Sequence, residues 1–422
     1  MLEAVKNILW GWHVLGLILI AGLTFSVNSK FFQIRKISFW LKTVLFGGKK
    51  KKGEISQFQA LMTALAGSIG TGNIVGVAAA ITVGGAGAIF WMWVSAIFGM
   101  MTIFAENMLS AKYKNAQGAL GYIEKAGKHG KKLALFYAVG CVLSSLGMGN
   151  MVQSNAAAAS LGQFGVPNYI SGIILAATLL FVGIYGMKFA VKITEKLVPL
   201  MTLIFFISSL LVLWIMREKI PSAFASIIEG AFSLRAGAGG IAGMLIAAKA
   251  GISRGVFTNE AGLGSSSFAY DEVQGKSPIQ IGCMGIFQVF ADTIVMCTVT
   301  ALCILCCFAP NFDGAKLTFF AFESALGDIG VYAVCVCTAL FALATMVAWC
   351  CYGRAGLSYL TKGRGKQGFA VVFALAAFAG CIIPLDVVFK IGDTFNGLMA
   401  IPNLLALFYF SSEILTEVKK VH

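Results

Sequence analysis

The sequence predicts an all-α integral membrane protein of about 11 transmembrane helices, with a core of five plus five inverted repeats (spans 2–11) and one peripheral N-terminal helix. Three observations lead there. Of 422 residues, 58% are hydrophobic and only 12% are charged, at a mean hydropathy of +0.85, whereas soluble domains carry about a quarter charged residues. Apolar runs of about 20 residues, the length that crosses a bilayer, recur along the whole chain. Finally, glycine clusters interrupt two of those runs, five spans apart and in opposite directions.

The runs lie at 10–27, 57–83, 86–111, 133–163, 168–187, 193–216, 222–251, 279–309, 329–351, 368–384 and 391–411. The first could pass for a signal peptide. Its flank is nearly neutral, Glu3 against Lys6, and eight basic residues follow within the next stretch to position 56, which resists translocation. With the N-terminus placed outside, the cytoplasmic loops and tail hold 24 of the 32 lysines and arginines, and the outside regions hold five. That bias predicts an inner or plasma membrane protein with a cytoplasmic C-terminus. Seven prolines and no long polar linker predict a single domain, 1–422. It divides into a peripheral helix and basic loop (1–56), two repeats (57–216 and 217–411) and a tail (412–422).

The net charge of +14 sits in loops between spans and forms no basic helix or RNA motif, so nucleic acid is not the expected partner. The "KKKK" at 49–52 reads as a topology determinant near anionic lipid. Eleven cysteines, Cys303, Cys306 and Cys307 among them, fall almost entirely within spans and read as small apolar filler. His13, His129 and His422 are scattered, which excludes the zinc-protease spacings. No nucleophile–base pair or paired acids are visible in the spans, and no repeated filter segment, so an enzyme or a channel is disfavoured.

Span two is broken at "GSIGTGN" (67–73) and span seven at "GAGG" (237–240). An unwound turn exposes carbonyl oxygens able to replace the water around a small cation, and half-helix N-termini able to hold a carboxylate. Glycine permits the dihedrals and lets a ligand approach the backbone. The competing reading is close helix packing through small residues, but a matched pair of breaks points to an inverted-repeat transporter. Asp292 lies amid "FQVFADTIVMCTV" with no cation close in sequence. An intramembrane acid costs roughly 2.5–3.5 kcal/mol on insertion scales and is functional by default.

Six stretches then resemble the alanine or glycine:cation symporter family, carriers with a LeuT-like fold. They are "GTGNIVGVAAAITVGGAGAIFWMW" (70–93), "GMGNMVQSN" (147–155), "RGVFTNEAGLGS" (254–265), "FADTIVMCTVTAL" (290–302), "W…YG" (349–353) and "NGLMAIPNL" (396–404). The resemblance implies uptake of a small neutral amino acid driven by sodium or protons, with no cofactor beyond the coupling ion. It implies a carboxylate site at Gly70, Thr71, Gly72 and Asn73, and carbonyls for the ammonium group at Gly237, Gly239 and Gly240. Gln153 would bind a polar end of the ligand, with interhelical bonding to Asn150 or Asn155 as the rival reading. Trp349 would wall the pocket, with an interfacial belt position as the rival. Sodium would sit on carbonyls of Ala66 and Ile69 with Thr345, and Asp292 would bind sodium with Asn73 or carry a proton. The stretch 254–265 would gate or anchor a loop at the cytoplasmic end of span seven. Four features depart from the family pattern: Ala344 where a second hydroxyl is usual, Arg354 where glutamate is usual, "GGAGA" (84–88) in place of "GGPGA", and "SSSFAYDE" at 265–272 in place of a run containing proline and histidine.

Overall fold

The structure, a computed structural model, describes residues 7–46, 55–114, 117–232, 241–271, 273, 276–307 and 314–421. Apart from a four-residue helix at Phe32–Arg35, its helices in chain order are α1 (Trp12–Asn28), α2 (Ile37–Leu45), α3 (Gln57–Ser68), α4 (Val75–Gly84), α5 (Gly87–Lys112) and α6 (Ala119–Lys125). Then come α7 (Gly130–Gly162), α8 (Asn168–Tyr185), α9 (Met187–Ile215), α10 (Ile220–Phe232), α11 (Ile241–Asn259) and α12 (Ser267–Tyr270). The last six are α13 (Pro278–Cys306), α14 (Ala315–Leu326), α15 (Asp328–Thr361), α16 (Lys366–Ile382), α17 (Leu385–Tyr409) and α18 (Ser411–Lys419).

Local chemistry sets the helix starts. Ser56 and Gln59 form a reciprocal capping box at α3, and Ser277 with Gln280 does the same at α13, where Pro278 takes the first helical position. Two spans contain a π-helical segment, 147–151 in α7 and 290–297 in α13. Such bulges shift the register of the side chains that follow and often accompany functional sites.

Nine helices among the described residues are long and apolar enough to span a membrane. The two other expected spans are present in shorter pieces: span two is split into α3 and α4, and span ten is α16, of 17 residues. For span seven the structure describes α10 (Ile220–Phe232) and α11 (Ile241–Asn259), and the break predicted at 237–240 lies outside the described residues. Gly230 of α10 meets Gly87 at the start of α5, where a Cβ on Gly87 would come within 2.3 Å of the Gly230 backbone. α1 is integral to the packing, with Gly22 against the Phe98 backbone and Trp10 Nε1 donating to Ser253 Oγ at 2.8 Å.

The described parts of the connections after α1, α5, α8 and α15 meet at one end of the bundle, where Ile55, Gln117, Lys188 and Lys366 line one cavity; that end is the basic end below. α4 runs from mid-bundle toward the opposite end. α11 packs antiparallel along it, with Gly84 against Ala247 and Ala250 and Gly72 against Thr258. The C-terminus of α11 therefore arrives beside the first helix break.

Candidate functional site

The helix of span two stops at Ser68, passes through an extended Ile69 and Gly70, and makes one 3₁₀ turn at Thr71–Asn73 before α4 begins. Gly70 is required by space: a Cβ there would stand 2.4 Å from Thr345 Oγ1 and 3.1 Å from Gln153 Oε1. The Thr71 N–H and hydroxyl both donate to Gln153 Oε1, at 3.1 and 2.9 Å. Gln153 Nε2 in turn donates to Met148 O at 3.1 Å, a carbonyl on the π segment of α7. Asn150 and Asn155 donate elsewhere, to the carbonyls of Phe373, Gly380 and Ile383, so neither partners Gln153.

Asn73 closes the turn by accepting from Gly70 N at 2.9 Å and donates to Asp292 Oδ1 at 2.8 Å. The other Asp292 oxygen accepts from Thr293 at 2.7 Å, and Thr293 accepts from Asn259 at 3.2 Å. Asn73 thus faces Asp292 with its N–H donors and turns its carbonyl inward. Thr345 Oγ1 lies 3.5 Å from Ile69 O, with buried Ala66 three residues earlier on α3. Trp349 is fully buried in the middle of α15, which removes the interfacial reading. Its Nε1 donates to Glu260 Oε1 at 2.8 Å and approaches Gly67 O at 3.3 Å. The ring fits because residue 149 is glycine; a Cβ there would be 2.3 Å from the indole.

Gly237, Gly239 and Gly240 lie outside the described residues. The interruption that meets the first one is Glu260–Ser266, between α11 and α12. α11 traverses 19 residues from Ile241 before it reaches Thr258 and Asn259 at the site, so the turn at its far end faces Gly67–Asn73. The stretch "RGVFTNEAGLGS" therefore reaches the centre of the bundle, where a loop element at the cytoplasmic end had been expected. Glu260 adopts φ 61°, and Gly262 and Gly264 have φ of 96° and 72°, so three left-handed residues reverse the chain within five positions. The turn is tied down by a polar network toward the basic end. Glu260 Oε2 accepts from Ser265 at 2.6 Å, and Glu106 Oε1 accepts from Gly262 N at 2.8 Å and Asn403 Nδ2 at 2.7 Å. Asn403 also donates to Gly262 O and accepts from the Tyr122 hydroxyl.

Glu106, Asn403, Thr258 and Glu260 were missed by sequence reasoning. The signal for Glu106 was available, since "MMTIFAENML" sets an acid in an apolar run just as around Asp292. On the opposite side of the site, Arg254 pairs with buried Asp393, Nη2 to Oδ2 at 3.0 Å, and stacks over Phe257 and Phe389 at 5.2 and 4.8 Å. This pair borders a cavity of about 380 Å³ that also touches Trp10, Val83 and Lys249 and opens away from the basic end. Between the two closures Thr71, Asn73, Gln153, Asp292, Thr345 and Trp349 are each at most 1% exposed.

The arrangement brings the positive end of α4 and the negative ends of α3 and α11 to one buried point, a place suited to a zwitterion and a cation. Known transporters are similar to this chain along nearly its whole length. The chain is 37% identical over 438 residues to a sodium/alanine symporter of Methanococcus maripaludis, covering 99% of this chain and 96% of that one. It is 36% identical over 432 residues to an uncharacterized transporter of Haemophilus influenzae, covering 99% and 95%. A sodium-coupled sialic acid symporter in a substrate-bound, outward-open state shares the fold, with a TM-score of 0.56 at 11% identity over 96% of this chain and 85% of that one. The architecture is LeuT-like, and the protein is a carrier, not an enzyme. A model of the sodium:alanine symporter family matches residues 1–422, and the chain belongs to that family.

Proposed function

We propose that the protein imports a small neutral amino acid together with sodium by alternating access, with its N-terminus outside and its C-terminus in the cytoplasm. The observation that carries this reading is the 3.5 Å approach of Ile69 O to Thr345 Oγ1 at the C-terminal end of α3. A carbonyl and a hydroxyl at a negative helix end form the kind of hard-oxygen corner that suits sodium, and Ala66 O would complete the carbonyl face. The Gly70–Asn73 turn supplies N–H groups for a carboxylate, and Gln153 Oε1 now rests where the Thr71 N–H and hydroxyl point. On binding, the substrate carboxylate would take over those two donors and Gln153 would turn to the ligand with its amide. The ammonium group would meet the carbonyl end of α11, the role first assigned to Gly237, Gly239 and Gly240. Trp349, anchored by Glu260, limits the side chain that fits.

Alternating access then follows from two closures on either side of one buried site: Arg254–Asp393 on the side opposite the basic loops and the Glu106–Gly262–Asn403 network toward them. In this reading the repeats 57–216 and 217–411 of the single domain move against one another. Uptake of labelled alanine into proteoliposomes under an imposed sodium gradient tests it. Accumulation that requires sodium and weakens in Thr345→Ala supports the reading, and uptake indifferent to sodium refutes it. A second reading rests on Asp292, a buried acid whose described side-chain partners are Asn73, Thr293 and Thr258 and no cation. In a proton-coupled carrier Asp292 would hold the proton, uptake would ignore sodium, and Asp292→Asn would abolish it.

A further inference from the structure

We propose that Arg354, Lys188 and Lys366 form a binding site for a phosphate-bearing anion at the basic end of the bundle. These three cations share the wall of one cavity of about 270 Å³. A neighbouring groove toward the start of α16 again contains Arg354 and Lys366, so the guanidinium stands between two openings.

Arg354 is held in place there. Its Nη1 donates to Gly183 O at 2.9 Å and Ile184 O at 3.2 Å, carbonyls at the end of α8 that the helix itself leaves unpaired. The guanidinium lies directly over Gly186, at φ 75°, where a Cβ would come within 2.3 Å of Nη1. Nε and Nη2 make no hydrogen bond among the described residues, so the planar edge of the fork remains available to an oxyanion, which it matches in geometry. Lys188 and Lys366 are exposed on either side. The carboxylate on the cavity wall, Asp271, is engaged elsewhere: it accepts from Gly118 N at 2.6 Å and Ser110 Oγ at 3.3 Å. The site therefore offers an oriented arginine fork and two exposed ammonium groups around a space large enough for a phosphate. Basic pockets between transmembrane helices at the cytoplasmic face suit anionic lipid headgroups, and a soluble phosphate presents the same chemistry.

The test uses the full chain in two arms. In the first, thermal unfolding is followed in nanodiscs of phosphatidylcholine with and without phosphatidylglycerol. In the second, unfolding in detergent is followed with inorganic phosphate against chloride at equal ionic strength. Arg354→Ala would uncap α8 and can fail to fold, so the decisive variant is the exposed pair Lys188→Ala/Lys366→Ala, with Arg354→Lys as the conservative check. Wild-type stabilisation by phosphatidylglycerol alone assigns the site to lipid, and stabilisation by phosphate assigns it to a soluble anion. Either must shrink in the double variant, by about fivefold in apparent affinity per lysine removed, and Arg354→Lys must weaken it as the fork is lost. Equal responses of wild type and double variant in both arms overturn the proposal.

Discussion

Gly70→Ala is the sharpest perturbation of the site, because the added methyl enters it without straining the backbone. Gly70 has φ −137° and ψ −156°, an extended conformation open to alanine. The new Cβ would stand 2.4 Å from Thr345 Oγ1, whereas ordinary van der Waals contact begins near 3.4 Å, so the hydroxyl must retreat by about 1 Å. Gln153 Oε1, at 3.1 Å, must give by a few tenths of an ångström. Overpacking of this kind costs about 1–3 kcal/mol, which a protein of this length can survive. A cation site does not survive it, since ligand distances must hold to within about 0.2 Å. The expected outcome is a folded protein with a modestly lower unfolding temperature and little sodium-dependent uptake in proteoliposomes. Sodium-stimulated uptake in Gly70→Ala at the wild-type level, with an unchanged sodium requirement, would refute the placement of Thr345 and Ile69 at the coupling-ion site.

Three further substitutions probe the surrounding network. Asp292→Asn keeps the shape while replacing an acceptor of the Asn73 and Thr293 bonds; uptake should be lost with near-normal thermal unfolding, and retained transport would remove Asp292 from the mechanism. Trp349→Phe deletes the donor to Glu260 Oε1 and leaves a buried acceptor unpaired, at about 1–3 kcal/mol. Thermal unfolding reads that cost, and competition uptake should show larger amino acids gaining access. Arg254→Ala removes the ion pair to buried Asp393 and should lower the unfolding temperature. Arg254→Met/Asp393→Leu should recover most of that stability, and a single variant as stable as wild type would show the pair to be dispensable.

Most of the architecture was legible in one dimension because the bilayer imposes it. A span needs about 20 apolar residues and internally paired backbone, and basic loops favour one side, so the spans and their order follow from composition along the chain. The first break was legible for the same reason: "GSIGTGN" sets glycine and polar residues where a continuous helix would be preferred, and Thr71, Asn73 and Gln153 do meet there. The interruption at Glu260–Ser266 was not anticipated, because glycine content says only where a helix is permitted to unwind, and both "GAGG" and "NEAGLG" qualify. Placing "NEAGLG" beside the first break required the antiparallel packing of α11 on α4, which sets Thr258 against Gly72.

By itself the sequence determined the membrane-spanning class, the helix order, the family and the first half of the binding turn. Only the tertiary structure decided which residues face that turn. Glu260 reaches Trp349 across 89 positions, Asn73 reaches Asp292 across 219 and Thr345 reaches Ile69 across 276. Such contacts depend on helix rotation and depth, and a π segment in α7 or α13 alters both by a fraction of a turn. Hydropathy and spacing carry no record of that rotation, which is why the spans could be read from the chain and their facing partners could not.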